Sequence, residues 1–166
     1  MELLSEYQAR IVAVVRRHGG SIDKFMGDGI LASFGATRPS PTWAAEALRA
    51  VEDLVAEAAS WRAERAARGL PAPAVNAALA VGRVLFGTVG DDERLEYTVI
   101  GDAVNRAAKL EKHCKREGAA AVIEVEARRL AEAQGGRAAA AWVARPGRRV
   151  EGLEQPVDLL VLAGEH

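Results

Sequence analysis

The chain has 166 residues, 49% of them hydrophobic and 27% charged, with a formal net charge of −1 and a pI near 6.3. That is enough apolar material for one domain with a real core, and there is no basic excess to suggest nucleic acid or an anionic membrane surface as partner. No apolar run reaches the roughly 18 residues of a spanning helix, the N-terminus lacks the basic-then-apolar pattern of a signal peptide, and the one cysteine, Cys114, cannot form an internal disulfide, so a reducing, cytoplasmic setting is expected.

In chain order, residues 2–18 predict an amphipathic helix, with Leu3, Leu4, Tyr7, Ile11, Val14 and Val15 at helical spacing and Gly19-Gly20 as its stop. Ser21 to Phe25 and Ile30 to Phe34 are short strand-like runs around Gly27-Asp28-Gly29, a tight hairpin turn. Residues 41–68 predict one long helix with Ala44, Ala47, Leu48, Val51, Leu54, Val55 and Ala58 as its apolar stripe, ended by Gly69 and Pro71. Strands are expected at Val75 to Val81, Val84 to Val89 and Leu95 to Ile100. Asp102 is a plausible N-cap for a helix to about Arg116. A strand at 119–125, a helix at 126–134 and strands near 138–144 and 157–162 complete the order. No repeat or linker is evident, so residues 1–166 are expected to form a single α+β domain with a mixed sheet.

Three segments carry chemistry. In Asp23-Lys24-Phe25-Met26-Gly27-Asp28-Gly29, a carboxylate at a glycine-flanked hairpin tip is accessible to a phosphate-bound Mg²⁺, although Asp-Gly is also ordinary turn chemistry. Gly82-Arg83-Val84-Leu85-Phe86-Gly87-Thr88-Val89-Gly90 is a glycine-punctuated hairpin corner; no Gly-Lys-Ser/Thr follows, which argues against a phosphate loop. In Tyr97 to Lys109, Asn105 and Lys109 lie four apart and share a helix face, where an amide and a cation together suit a phosphate-bearing ligand or form a polar surface.

Together these segments resemble the class III nucleotidyl cyclase homology domain. The matching runs are His18-Gly19-Gly20-Ser21-Ile22-Asp23-Lys24-Phe25-Met26-Gly27-Asp28, Val84 to Gly90, Glu96 to Leu110, and the tail Val150-Glu151-Gly152-Leu153-Glu154-Gln155-Pro156-Val157. The related diguanylate cyclases carry Gly-Gly-Asp/Glu-Glu-Phe on their hairpin; here Gly19-Gly20 is followed by Ser21-Ile22-Asp23, and that reading fails. The resemblance implies a ferredoxin-like βαββαβ-type core with a mixed sheet flanked by helices, the family's N-terminal strand missing because Met1 falls inside the helix that follows it.

The resemblance also implies an adenylyl cyclase activity: the ribose 3′-hydroxyl of ATP attacks the α-phosphorus, giving cyclic AMP and pyrophosphate, with two Mg²⁺ or Mn²⁺ ions per site. Sites are shared across a homodimer. By motif match Asp28 is a metal ligand, Lys24 and Thr98 are the base-reading pair, Asn105 orients the ribose, and Lys109 stands where the family usually has a phosphate-binding arginine. Adenine offers an acceptor at N1 and a donor at N6, which a lysine and a threonine oxygen complement. The missing strand carries the family's first metal aspartate, Lys109 loses bidentate geometry, and Glu151 places a carboxylate where many members have a basic residue, with Arg149 expected on the same strand face. A non-catalytic dimerisation or nucleotide-binding module is the alternative.

Overall fold

The computed structural model describes residues 2–164, so Met1 lies outside the described residues. Helix α1 (Glu2–Arg17) leads into the hairpin β1 (Ser21–Met26) and β2 (Gly29–Ser33), and then into α2 (Trp43–Ala67). Strand β3 (Ala77–Leu79) precedes a second hairpin, β4 (Leu85–Gly90) and β5 (Leu95–Ile100). Helix α3 (Asp102–Glu117), β6 (Ala119–Glu124), α4 (Val125–Ala133), β7 (Val143–Arg148) and β8 (Val157–Ala163) complete the chain. No described helix is long and apolar enough to cross a membrane.

The α+β architecture with a mixed sheet is as expected. Four strands run in the order β3-β6-β8-β7, with β3 parallel to β6 and the other neighbours antiparallel. Strand β6 is apolar along almost its whole length because both of its faces are covered. Ala121 and Ile123 pack with Leu48 and Val51 of α2 and Ala131 of α4, whereas Val122 packs with Leu110 and Cys114 of α3. Burial pushes the Cys114 thiol up to about 12, as befits a core residue.

Polar side chains fasten the layers. Glu6 and Arg10 of α1 pair with Arg65 and Glu57 of α2 at 2.7 and 2.8 Å, beside a tilted Tyr7–Trp61 ring contact. Gln134 Oε1 accepts from the Ala44 and Ala45 amides, satisfying the start of α2 from the end of α4. The buried Glu52 carboxylate accepts from the Ala139 and Ala140 amides and from Trp142 Nε1.

Three expectations need correction. The strand near 138–144 begins only at Val143, because Glu52 draws the 139–140 amides out of any ladder. Asp102 is the first helical residue of α3 rather than its cap; the cap is Gly101, with no side-chain bond. Glu151 sits in a turn, not on a strand beside Arg149, and pairs with Arg116 at 3.0 Å.

The sheet is also divided. Among the described residues β2 pairs only with β1, β3 only with β6, and β4 with β5 alone. Leu31 and Ser33 of β2 and Leu79 of β3 line a common cavity of about 100 Å³, together with Trp43 and Ala103. Asp23 accepts from Ser33 Oγ on one oxygen, but its other oxygen is buried without a partner. Burial raises this carboxyl above its usual range, and the Ser33 bond opposes that.

Two outcomes follow from this packing. Glu52→Ala strands three donors and is expected to cost about 2–4 kcal/mol in urea unfolding. Fusing a short apolar strand ahead of α1, with a link long enough to reach the cleft between β2 and β3, is expected to raise Tm by at least about 4 °C by pairing two open edges. An unchanged Tm would show that the cleft takes no strand.

Candidate functional site

The first hairpin closes through a two-residue turn, Gly27-Asp28, with Met26 opposite Gly29. Gly27 takes φ 64°, a left-handed conformation that glycine enters without steric cost. Asp28 is thereby held at the tip, exposed to solvent. Its charge reaches two neighbouring elements. Tyr7 of α1 is raised by burial and then by Asp28, and Glu111 of α3 is raised by burial, with Asp28 adding to the effect and Lys112 opposing it.

Lys24 lies on β1, four residues before Asp28 and exposed. Its Nζ donates to Glu96 Oε1 on β5 at 3.0 Å. The Lys24 bond and charge hold the Glu96 carboxyl below its usual range. Thr98, two residues beyond Glu96, points to the same side of β5, is half-buried and stands opposite Gly87 of β4. The structure therefore brings Lys24 and the Thr98 strand together, with Glu96 joining them.

Strand β5 passes into α3 through one residue. Gly101 has φ 150°, and a Cβ there would lie 2.6 Å from the Arg83 carbonyl oxygen, so only glycine fits. Asn105 follows one turn into α3 and is exposed. Lys109 is one turn further, and its Nζ donates to the Gly152 carbonyl. The ammonium is thus drawn toward the 151–152 turn, next to the Glu151–Arg116 pair.

The helix start is held by a clamp that sequence reasoning missed. Arg106 Nε donates to Glu124 Oε1 and its Nη2 donates to the Val81 carbonyl, both at 2.6 Å, while the Val81 amide donates to Glu124 Oε2 at 3.0 Å. The available signal was a lone glutamate ending the apolar run Ala119–Glu124, a charge that must be satisfied when buried. Glu96 was missed as well; its cue was the spacing of two from Thr98 on a strand.

The site thus offers exposed donors and acceptors on two strands and one helix, with a carboxylate on a turn. Among the described residues no group of three or more His, Cys, Asp or Glu is placed to hold a metal ion. Arg106→Ala is expected to destabilise the protein by about 2–3 kcal/mol in thermal or urea unfolding, because it leaves the largely buried Glu124 with one donor.

No protein-family model matches the chain. Over 159 residues, 96% of this chain, it is 33% identical to the uncharacterized protein Rv1318c of Mycobacterium tuberculosis, the match covering 27% of that protein. It is 39% identical over 110 residues to the uncharacterized protein Rv1319c of the same organism, covering 66% of this chain and 19% of that one. The chain matches about a fifth to a quarter of the length of these curated relatives. Among solved structures, the adenylyl cyclase CyaB from P. aeruginosa superposes with a TM-score of 0.79 at 24% identity, covering 99% of this chain and 82% of that one. The guanylyl cyclase Cya2 superposes with a TM-score of 0.75 at 25% identity, covering 99% and 80%. In fold, and in the order of the sequence runs that bear the candidate residues, this chain is similar to the class III nucleotidyl cyclase homology domain.

Proposed function

We propose that the protein acts as an adenylyl cyclase domain in intracellular signalling, converting ATP to cyclic AMP and pyrophosphate as a head-to-tail homodimer with shared sites. The observation that carries this reading is the placement of Lys24 beside β5, which bears Thr98 and runs through Gly101 into the helix bearing Asn105 and Lys109. In this reading Lys24 donates to adenine N1 and the Thr98 hydroxyl oxygen accepts from the N6 amine. Asn105 hydrogen-bonds the ribose, and the Lys109 ammonium faces phosphate as a point charge. Mg²⁺ or Mn²⁺ belongs to the same reading, with Asp28 as one ligand and triphosphate oxygens as others.

The second hairpin supports self-association. Leu85, Val89 and Leu95 are 73%, 61% and 71% exposed, and every residue of β4 is open to solvent. Side chains of this kind, gathered on one arm, mark a surface that is covered in use, and a second copy of the chain is the partner a split site requires.

A second reading, a non-catalytic module that dimerises or binds nucleotide, is favoured by the Lys109–Gly152 bond, which engages the ammonium with the 151–152 turn. One assay separates the two. The protein is incubated with ATP and Mn²⁺ or Mg²⁺, and cyclic AMP and pyrophosphate are quantified by chromatography. The protein is expected to show metal-dependent turnover that Asn105→Ala lowers by about 10²-fold. Nucleotide binding without cyclic product would establish the non-catalytic reading.

A further inference from the structure

We infer that Arg106 is a positioning residue: by tying the first turn of α3 to the end of β6, it fixes the direction in which Asn105 presents its amide. This rests on the cyclase reading above, in which Asn105 bonds the ribose.

The start of α3 has little to hold it from within. Its cap is Gly101, with no side-chain cap bond, so the free donors of the first turn gain no side-chain acceptor there. The first helical bonds, from the Val104 and Asn105 amides to the Gly101 carbonyl, are 3.1 and 3.4 Å long. Asn105 is exposed, so packing does not orient it. Its direction is set by the backbone of this turn.

Arg106 supplies the hold from outside. Three bonds close a ring: Nε donates to Glu124 Oε1 at 2.6 Å, Nη2 donates to the Val81 carbonyl at 2.6 Å, and the Val81 amide donates to Glu124 Oε2 at 3.0 Å. The Arg106 and Glu124 side chains are 28% and 10% exposed, so water competes little for these bonds. The turn also lies close on the chain beneath it. A Cβ at Gly82 would stand 3.1 Å from Ala103 Cβ and 3.4 Å from Arg106 Nη2.

The coupling to Asn105 is geometric. Consecutive residues of an α-helix are about 100° apart around its axis, so a roll of the first turn that slackens the ring swings Asn105 through the same angle. Misplacing a reacting contact by about 1 Å can cost about 10²-fold in rate. Meeting the charge of Glu124 needs only a cation. Holding two acceptors on different segments at once needs a planar fork, which an ammonium lacks. Lysine at 106 therefore keeps the charge and releases the rotation.

The test uses the full chain with ATP and Mn²⁺, measuring kcat, KM, Tm and backbone hydrogen exchange. Arg106→Lys is expected to lower kcat about tenfold while KM changes by less than about twofold. Its Tm should stay within about 4 °C of wild type, and the Val104 and Asn105 amides should exchange about tenfold faster. Glu124→Gln, which keeps one acceptor oxygen, is expected to reproduce the kcat loss from the other side of the ring. In the Asn105→Ala background, Arg106→Lys should alter kcat by less than about twofold, since nothing remains to be positioned. A purely structural role would lower kcat equally in both backgrounds.

Equal losses in the two backgrounds, an unchanged kcat in Arg106→Lys, or unchanged exchange at Val104 and Asn105 would overturn the inference and leave the cyclase reading intact. A wild type that makes no cyclic AMP would overturn the cyclase reading and the inference with it.

Discussion

Strand β6 is covered on both faces, by α2 and α4 on one side and α3 on the other. A strand so enclosed tolerates apolar side chains throughout and one charge only where that charge is fully met. The charge is Glu124, at its last position, and it is met by Arg106 and by the Val81 amide. One carboxylate therefore joins the end of the central strand, the segment after β3 and the first turn of α3. Asn105 is the neighbour of Arg106 in sequence, so the direction of its side chain is inherited from this clamp. Gly101 adds a second constraint by leaving the β5–α3 junction one available backbone path.

Among the described residues β2 pairs only with β1 and β3 only with β6. The cavity between them is walled by Leu31, Leu79, Trp43 and Ala103, side chains that ordinarily meet others. Open backbone edges beside apolar walls are costly in water, and the partnerless oxygen of Asp23 lies on the same cavity. The rest of the fold does not depend on this region, because the α2, α3 and α4 layers pack on β6 and its neighbours.

Most of the elements were legible from periodicity, since α1, α3 and β6 each show one clean pattern of apolar positions. The hairpin turn at Gly27-Asp28 was legible because few residue pairs accept that geometry. The stretch 138–142 was not, because alanine runs carry no periodic signal and their conformation is decided by Glu52, far away in sequence. The placement of Glu151 was misread for a related reason: Gly152 at φ 84° makes a turn where a strand was expected. Within the site, strand-like runs, turn chemistry and helical spacing placed Lys24, Asp28, Thr98, Asn105 and Lys109 on their elements, and only their roles came from the motif match. Their engagements were invisible, since Lys24 meets Glu96 across 72 positions and Lys109 meets Gly152 across 43. Side-chain partners set by chain crossing leave no local trace.

The β4–β5 arm carries two kinds of residue at once. Leu85, Val89 and Leu95 are among its open apolar side chains, and Glu96 and Thr98 among its polar ones, on a ribbon whose strands, among the described residues, pair only with each other. Whatever seats the arm also seats the polar pair, because a two-stranded ribbon bends as a unit. In the proposed dimeric reading, protein concentration becomes a tuning variable for whatever binds beside the polar pair: dilution that releases the arm loosens that surface, and a ligand that settles it favours the assembled state by the same free energy.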